Sequence, residues 1–161
     1  MASVINLSTA GVSLVYAVET TAGTRPTSGY TKLTGLKSTP SLNPAPETLE
    51  STTLDELEFK TYVKGLRDLG GSLEFTFNLT QNLVNEWDAL ITAYEGAKAS
   101  NKATWFAVVI PGLTKAFFFT GEPSAMGVPE TSVNSILEIT NYITPTNAPT
   151  SASKPTIVSA G

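Results

Sequence analysis

The chain reads as a mainly β protein, an antiparallel β-sandwich or barrel of about seven or eight strands with one flanking α-helix. Three observations predict this class. Several short runs alternate apolar and polar residues, the period of a half-buried strand. Clusters of Gly, Pro, Ser and Thr separate those runs in the manner of turns. A single segment switches to the helical period.

Residues 1–11 form a short amino-terminal arm, and residues 12–143 form the domain. The first strand runs from Val12 to Val18, where Val12, Leu14, Tyr16 and Val18 share one face. Glu19 to Gly29 is a loop by composition, and Tyr30 to Leu36 resumes a strand. Prolines at 40, 44 and 46 then keep Lys37 to Pro46 out of any central strand, because proline has no N–H for the ladder. That excursion runs into a polar, mostly acidic stretch from Glu50, so that residues 37–65 make one long loop. Loops of this length usually bind something or order against a partner. With so few apolar residues, this one is expected to stay disordered until it meets that partner.

Gly70 and Gly71 turn the chain into Leu73, Phe75, Phe77 and Leu79, with Glu74, Thr76 and Asn78 on the opposite face. A helix follows over residues 80–95, capped by Asn78 or Thr80 and stopped by Gly96. Its apolar face carries Leu83, Trp87, Leu90, Ile91 and Tyr94. Thr104 to Ile110 and Thr114 to Thr120 flank Pro111-Gly112 as a hairpin. Gly121 to Glu130 is a loop, and Thr131 to Ile143 is a last long strand with Val133, Leu137, Ile139 and Ile143 on one side. Residues 144–161 are rich in Pro, Ser, Thr and Ala and are expected to be disordered unless a neighbour captures them.

Composition removes several functions. The 161 residues suit one domain with a sizeable core, and a net charge of −4 argues against a surface that grips nucleic acid through phosphates. Without Cys there is no disulfide, thiol nucleophile or thiolate metal site, and without His the commonest general base and metal ligand are missing. The amino terminus lacks the pattern of a signal peptide, and no apolar run is long enough to span a bilayer. The expectation is a chain made in cytoplasm, with no membrane insertion.

Candidate chemistry is sparse, and neither catalytic residues nor cofactors are expected. Asp55, Glu56 and Glu58 could hold a cation, yet they lack the alternating ligands and central Gly of a calcium loop. They are read as a solvated or partner-facing run, and no metal site is expected. GLRDLGG, residues 65–71, lacks the Lys-Ser/Thr ending of a phosphate loop. Phe117, Phe118 and Phe119 place rings on both faces of one strand, either for stacking on bases or sugars or, as favoured here, for burial on both sides. Trp87 reads as a core anchor, while Trp105 could form a sugar platform.

The run ESTTLDELEFKTYVKGLRDLGGSLEFTFNL, residues 50–79, is followed by a helix with a buried Trp, then IPGLTKAFFF and SILEITN. In order and spacing, across roughly residues 10–145, these resemble the tail tube proteins of long-tailed, lambda-like bacteriophages. The resemblance implies hexameric rings that stack into a non-contractile tube and conduct the genome to the host envelope. Four strands from each of six subunits would close a barrel of about 24 strands, near 50 Å across at ~4.8 Å spacing and ~40° tilt. That bore would pass duplex DNA without binding it specifically. Implied partners are further copies of the chain, a tape measure protein, and tail terminator or distal tail proteins. The implied location is the virion tail, after assembly in the host cytoplasm.

On this reading the long loop carries the contacts between subunits, through Leu54, Leu57, Phe59, Tyr62, Val63 and Leu66. Candidate lumen residues are Glu74, Thr76, Asn78, Asn134, Glu138 and Thr140, since carboxylates and hydroxyls let DNA slide where a basic lining would hold it. The same residues could equally form an outer surface, because alternation groups residues on a face without saying which face it is. Many relatives carry an additional immunoglobulin-like domain where this chain has only its Pro/Ser/Thr-rich tail. Two other functions fit the residues: the inner tube protein of a contractile tail or secretion system, and a carbohydrate-binding β-sandwich using Trp105 or Phe117 to Phe119.

Overall fold

A computed structural model describes residues 6–55 and 58–158. In chain order the elements are β1 (Ser13–Val18), β2 (Tyr30–Leu33), β3 (Leu36–Ser38), β4 (Pro46–Glu50), β5 (Tyr62–Arg67), β6 (Leu73–Asn78), α1 (Gln81–Ala99), β7 (Thr104–Val109), β8 (Lys115–Pro123), β9 (Glu138–Pro145), β10 (Thr150–Ser153) and β11 (Ile157–Val158). One curled sheet has the order β11-β2-β1-β7-β8-β9-β6-β3, with β10 also on β8. Its pairs are antiparallel except β11 with β2. The β4 and β5 strands pair with each other as a separate ribbon. The class is therefore mainly β with one flanking helix, as the alternation predicts.

The corner of the sheet lies in β8. Residues Phe117–Thr120 pair with β7, whereas Gly121–Pro123 pair with β9. At this corner a Cβ on Gly121 would sit 2.6 Å from Cγ2 of Ile143, so only glycine lets the two strands approach. The curl brings one face of β1, β7 and β8 against one face of β6 and β9. Leu14, Tyr16, Phe106, Val108, Phe119, Phe75, Phe77, Ile139 and Ile143 meet there, and α1 adds Leu83, Trp87 and Leu90. The three helix side chains are fully buried, each contributing about 2–3 kcal/mol by removal from water. The rings of Phe106 and Phe119 stack at 5.5 Å, and Phe77 meets Trp87 edge to face at 6.1 Å.

A second apolar cluster occupies the other face of the same strands: Val15, Ala17, Tyr30, Ala107, Ala116 and Phe118. The loop after β1 covers part of it. Arg25 lies 4.3 Å over the Phe118 ring, and the Tyr30 hydroxyl donates to the Pro26 carbonyl at 2.8 Å. Burial drives the Tyr30 hydroxyl up to about 12, with Arg25 pulling weakly the other way. Thus Phe118 and Phe119 are buried on opposite sides of one strand, as expected, whereas Phe117, also expected to be buried, is 37% exposed.

Besides β8, which runs on through Gly121–Pro123 where a loop was expected to begin, the structure departs from the sequence reading at five places. The strand expected over Tyr30 to Leu36 is split, because β2 pairs with β1 while β3 pairs with β6 in the other part of the sheet. Gly35, at φ +80°, makes that turn. Residues 37–65 contain β4 and the start of β5, so a ribbon stands where an unstructured loop was expected. The helix passes through Gly96 to Ala99, and Asn101 at φ 56° follows its end instead. Thr80 is the cap, its side chain accepting from the Leu83 N–H at 3.1 Å. The last strand starts at Glu138 rather than Thr131, because its partner β6 runs into the helix cap and leaves residues before Leu137 without a strand to pair with.

The fifth departure is the tail. Residues 150–153 continue along the β8 edge that β9 has begun, and 157–158 pair with β2. Between β9 and β10 the chain bulges opposite Thr120. There the Thr120 N–H donates to Asn147 Oδ1 at 2.7 Å and the Thr146 N–H donates to the Thr120 carbonyl at 2.8 Å, so the bulge leaves that backbone satisfied.

Candidate assembly interface

The polar face comes first, because pairing of β6 with β9 builds it directly. Glu74 stands opposite Tyr142, Thr76 opposite Thr140, and Asn78 opposite Glu138. Five of the six candidate lumen residues, Glu74, Thr76, Asn78, Glu138 and Thr140, therefore share the face turned away from the core. The hydroxyls of Thr76 and Thr140 are 3.2 Å apart, and Lys37 forms an ion pair with Glu138. Asn134 does not join them. It lies in a turn at φ 58°, ahead of the strand. Tyr142 was missed, although it stands two residues beyond Thr140 in the same alternation.

The ribbon carries the candidate inter-subunit residues. Tyr62, Val63 and Leu66 lie on β5, and Leu54 and Phe59 lie in the segment joining β4 to β5. Leu57 falls outside the described residues. Leu54 and Leu66 are 104% and 84% exposed, and Phe59, Tyr62 and Val63 are also exposed. Leu49, opposite Val63 on β4, belongs with them and was not anticipated. The ribbon's shape is nonetheless fixed by hydrogen bonds. The Ser51 N–H donates to the Thr61 carbonyl at 2.8 Å, the Thr61 N–H to Thr52 Oγ1 at 2.9 Å, and Arg67 Nε to the Pro44 carbonyl at 2.8 Å. A hydrogen bond from Thr53 holds the Asp55 carboxyl below its ordinary value.

Residues 124–137 form a third feature, which the sequence reading assigned partly to a loop and partly to a strand. They overhang the polar face and leave an open groove of about 700 Å³, bounded by Thr76, Thr140 and Tyr142 on the sheet and by Val128, Glu130 and Ile136 on the overhang. Both ends are tied down. Trp87 Nε1 donates to the Ser124 carbonyl at 2.9 Å, and the Leu79 N–H to the Leu137 carbonyl at 2.9 Å. Between those ties Val128, Val133 and Ile136 are exposed.

Among the described residues, no group of three or more acidic side chains is placed to hold a metal, and no helix is long and apolar enough to cross a membrane. Glu19 is a buried carboxylate with a structural task. It accepts from the N–H groups of Ala103 at 2.7 Å and Gly23 at 3.1 Å, and from Trp105 Nε1 at 2.9 Å. Burial alone would raise its carboxyl, but the donors, Trp105 first, outweigh burial and hold it below the ordinary glutamate value. Trp105 is half-buried, with its indole N–H committed to Glu19.

No family model matches the chain, and no curated protein matches it. Among solved structures, it is similar to a chain in the cryo-EM structure of the anti-feeding prophage (AFP) baseplate, 6-fold symmetrised, with a TM-score of 0.58 at 10% identity, over 94% of this chain and 98% of that one. The chain thus shares its fold with a component of a phage-derived baseplate.

Proposed function

We propose that the protein is a structural subunit of a non-contractile phage tail tube, without enzymatic activity, whose copies form stacked hexameric rings that conduct viral DNA. The observation that carries this reading is the outward face of β6 and β9. Its side chains are hydroxyls, an amide, a phenol and carboxylates, and Lys37 on neighbouring β3 is paired with Glu138. Such a face can line an aqueous conduit, because it offers DNA no array of free cations to bind. The β4–β5 ribbon supports the same reading, since a projection with exposed Leu54, Tyr62 and Leu66 suits contact with a neighbouring subunit. The phage-derived neighbour in fold supports a role in the virion tail.

A second reading is the inner tube or a baseplate ring of a contractile tail or secretion system. The similarity to a baseplate chain favours it. A sheath protein gene beside this one would decide for it. Electron microscopy of the purified protein tests both. Rings or tubes with six-fold symmetry are expected, and a monodisperse monomer at high concentration would sink both readings. Tape measure, terminator and distal tail proteins are the partners that follow from the tube reading.

A further inference from the structure

We propose that residues 150–158 are an edge guard: one segment seated on both edges of the β2-β1-β7-β8 sheet, which keeps the β8 edge from pairing with β8 of a second copy. None of the contacts offered above for the tube uses that edge, so the guard stands or falls independently of the tube reading. Strand directions show how one segment reaches two edges. Successive strands of β2, β1, β7 and β8 are antiparallel, so β8 runs opposite to β2. Because β10 is antiparallel to β8 and β11 is parallel to β2, both run the same way, as two halves of one strand broken at Pro155. The first half is bonded to β8 and the second to β2. Thr156 fastens the second half further, its N–H donating to the Thr27 carbonyl at 3.2 Å and its carbonyl accepting from the Tyr30 N–H at 3.3 Å. A sheet bridged in this way has its edges covered by its own chain.

The strand beneath has reason to be guarded. From Thr104 to Gly121 the only charged residue is Lys115, and Ala116 to Phe119 is an unbroken apolar run rich in strand-forming rings. Stripped of the segment, Ala116, Phe117 and Phe118 would present unpaired N–H and C=O groups along an apolar strand, a template for the same strand of a second copy. The guard has the opposite character. Thr150, Ser151 and Ser153 carry hydroxyls, Pro149 and Pro155 bracket β10, and Lys154 follows it, so its own outer edge is a poor template.

The guard is also lightly held. Pro155 is buried and Ala152 is half-buried against the second apolar cluster, but no side chain of residues 150–157 makes a hydrogen bond or an ion pair with a described residue. Backbone bonds carry most of the attachment, so this segment opens before the strands that it covers. The hinge is marked as well. Residues 146–149 stand opposite Phe119 and Thr120 alone, and Thr146 and Asn147 are tied to Thr120, so the segment swings from the chain after Asn147.

The test uses variants of the full chain and follows association by light scattering below the melting temperature, with electron microscopy to set six-fold rings apart from other particles. Ser151→Pro with Ala152→Pro unseats β10, because one of any two consecutive residues in an antiparallel strand donates to its partner. This variant is expected to form particles without six-fold symmetry at about tenfold lower concentration than the unaltered chain, with α1 still protected from hydrogen exchange. Adding Phe117→Lys places a charge on the bared edge and is expected to restore the unaltered threshold. Ala116→Cys with Ala152→Cys joins the guard to β8, since the two alanines are register partners and the chain has no other Cys. Its oxidised form is expected to form such particles about tenfold more slowly than its reduced form. A proline variant that keeps the unaltered threshold, no rescue by Phe117→Lys, or equal rates for the oxidised and reduced forms overturns the proposal. If the proline variant loses protection of α1 as well, the oxidised and reduced forms decide alone.

Discussion

The indole N–H of Trp87 donates to the carbonyl of Ser124 across 2.9 Å, fastening the middle of the helix to the start of the overhang. One side chain therefore fills the core against Phe77 and also positions a surface segment. Trp87→Phe keeps most of the apolar packing and deletes the donor. It is expected to cost roughly 1–3 kcal/mol, from the lost hydrogen bond and the smaller ring. Hydrogen exchange should show faster exchange in residues 124–137 than in α1. Equal acceleration in both segments would mean that the bond does not position the overhang.

Glu19 makes stability depend on acid pH. Its folded carboxyl titrates below its ordinary value of 4.5, so its contribution is complete above that value and is lost as pH falls through the lower folded value. Glu19→Gln cannot be protonated in that range. The difference in melting temperature between unaltered protein and variant should be largest near neutrality and shrink as pH falls below about 4.5. A difference that stays constant down to pH 3 would assign the effect to packing alone. Glu19→Ala, which strands three donors, is expected to cost about 3 kcal/mol at neutral pH.

Gly35 turns the chain from β2 into β3 at φ +80°, and a Cβ there would lie 3.0 Å from the Asn78 carbonyl. Strain and crowding act together at this position. Gly35→Ala is expected to destabilise by roughly 1–3 kcal/mol in urea unfolding. The nearby anchor should suffer too, since Thr34 gives its N–H and hydroxyl to Glu86 on α1 at 2.8 and 2.6 Å. An unchanged unfolding midpoint would show that the turn relaxes freely.

Glu74 offers the cleaner test of the conduit. Glu138 is paired with Lys37, so reversing its charge also breaks an ion pair, whereas Glu74 has Tyr142 opposite it. Glu74→Lys is expected to leave tube assembly intact and to slow DNA ejection, more at low ionic strength than at high. Unchanged ejection from normal tubes at low salt would move this face to the outside of the assembly.

Several features were legible because they are local. The alternation Leu73, Phe75, Phe77 marked the buried side of β6, and all three are core residues. The helical spacing of Leu83, Trp87 and Leu90 marked the face of α1 that is fully buried. The end of that helix was misread. Gly96 is a strong stop signal by composition, yet the left-handed residue that follows the helix is Asn101. Val128, Val133 and Ile136 carried a signal in their apolar character, but the sequence reading placed Val133 and Ile136 in a strand and Val128 in a loop, and none of them in a site.

By itself, the sequence determined the mainly β class, the single helix with a cap at Asn78 or Thr80, and the grouping of Glu74, Thr76 and Asn78 opposite the core. These follow from side-chain period and capping chemistry, which act over a few residues. Only the tertiary structure decided which strands become neighbours. It set β6 against β9, broke the chain at Gly35, ended β9 where its partner runs out, and laid β10 along β8 around the Thr120 bulge. A strand needs another strand's hydrogen bonds, and that partner is chosen by how the whole sheet closes on its core rather than by the residues of either strand alone.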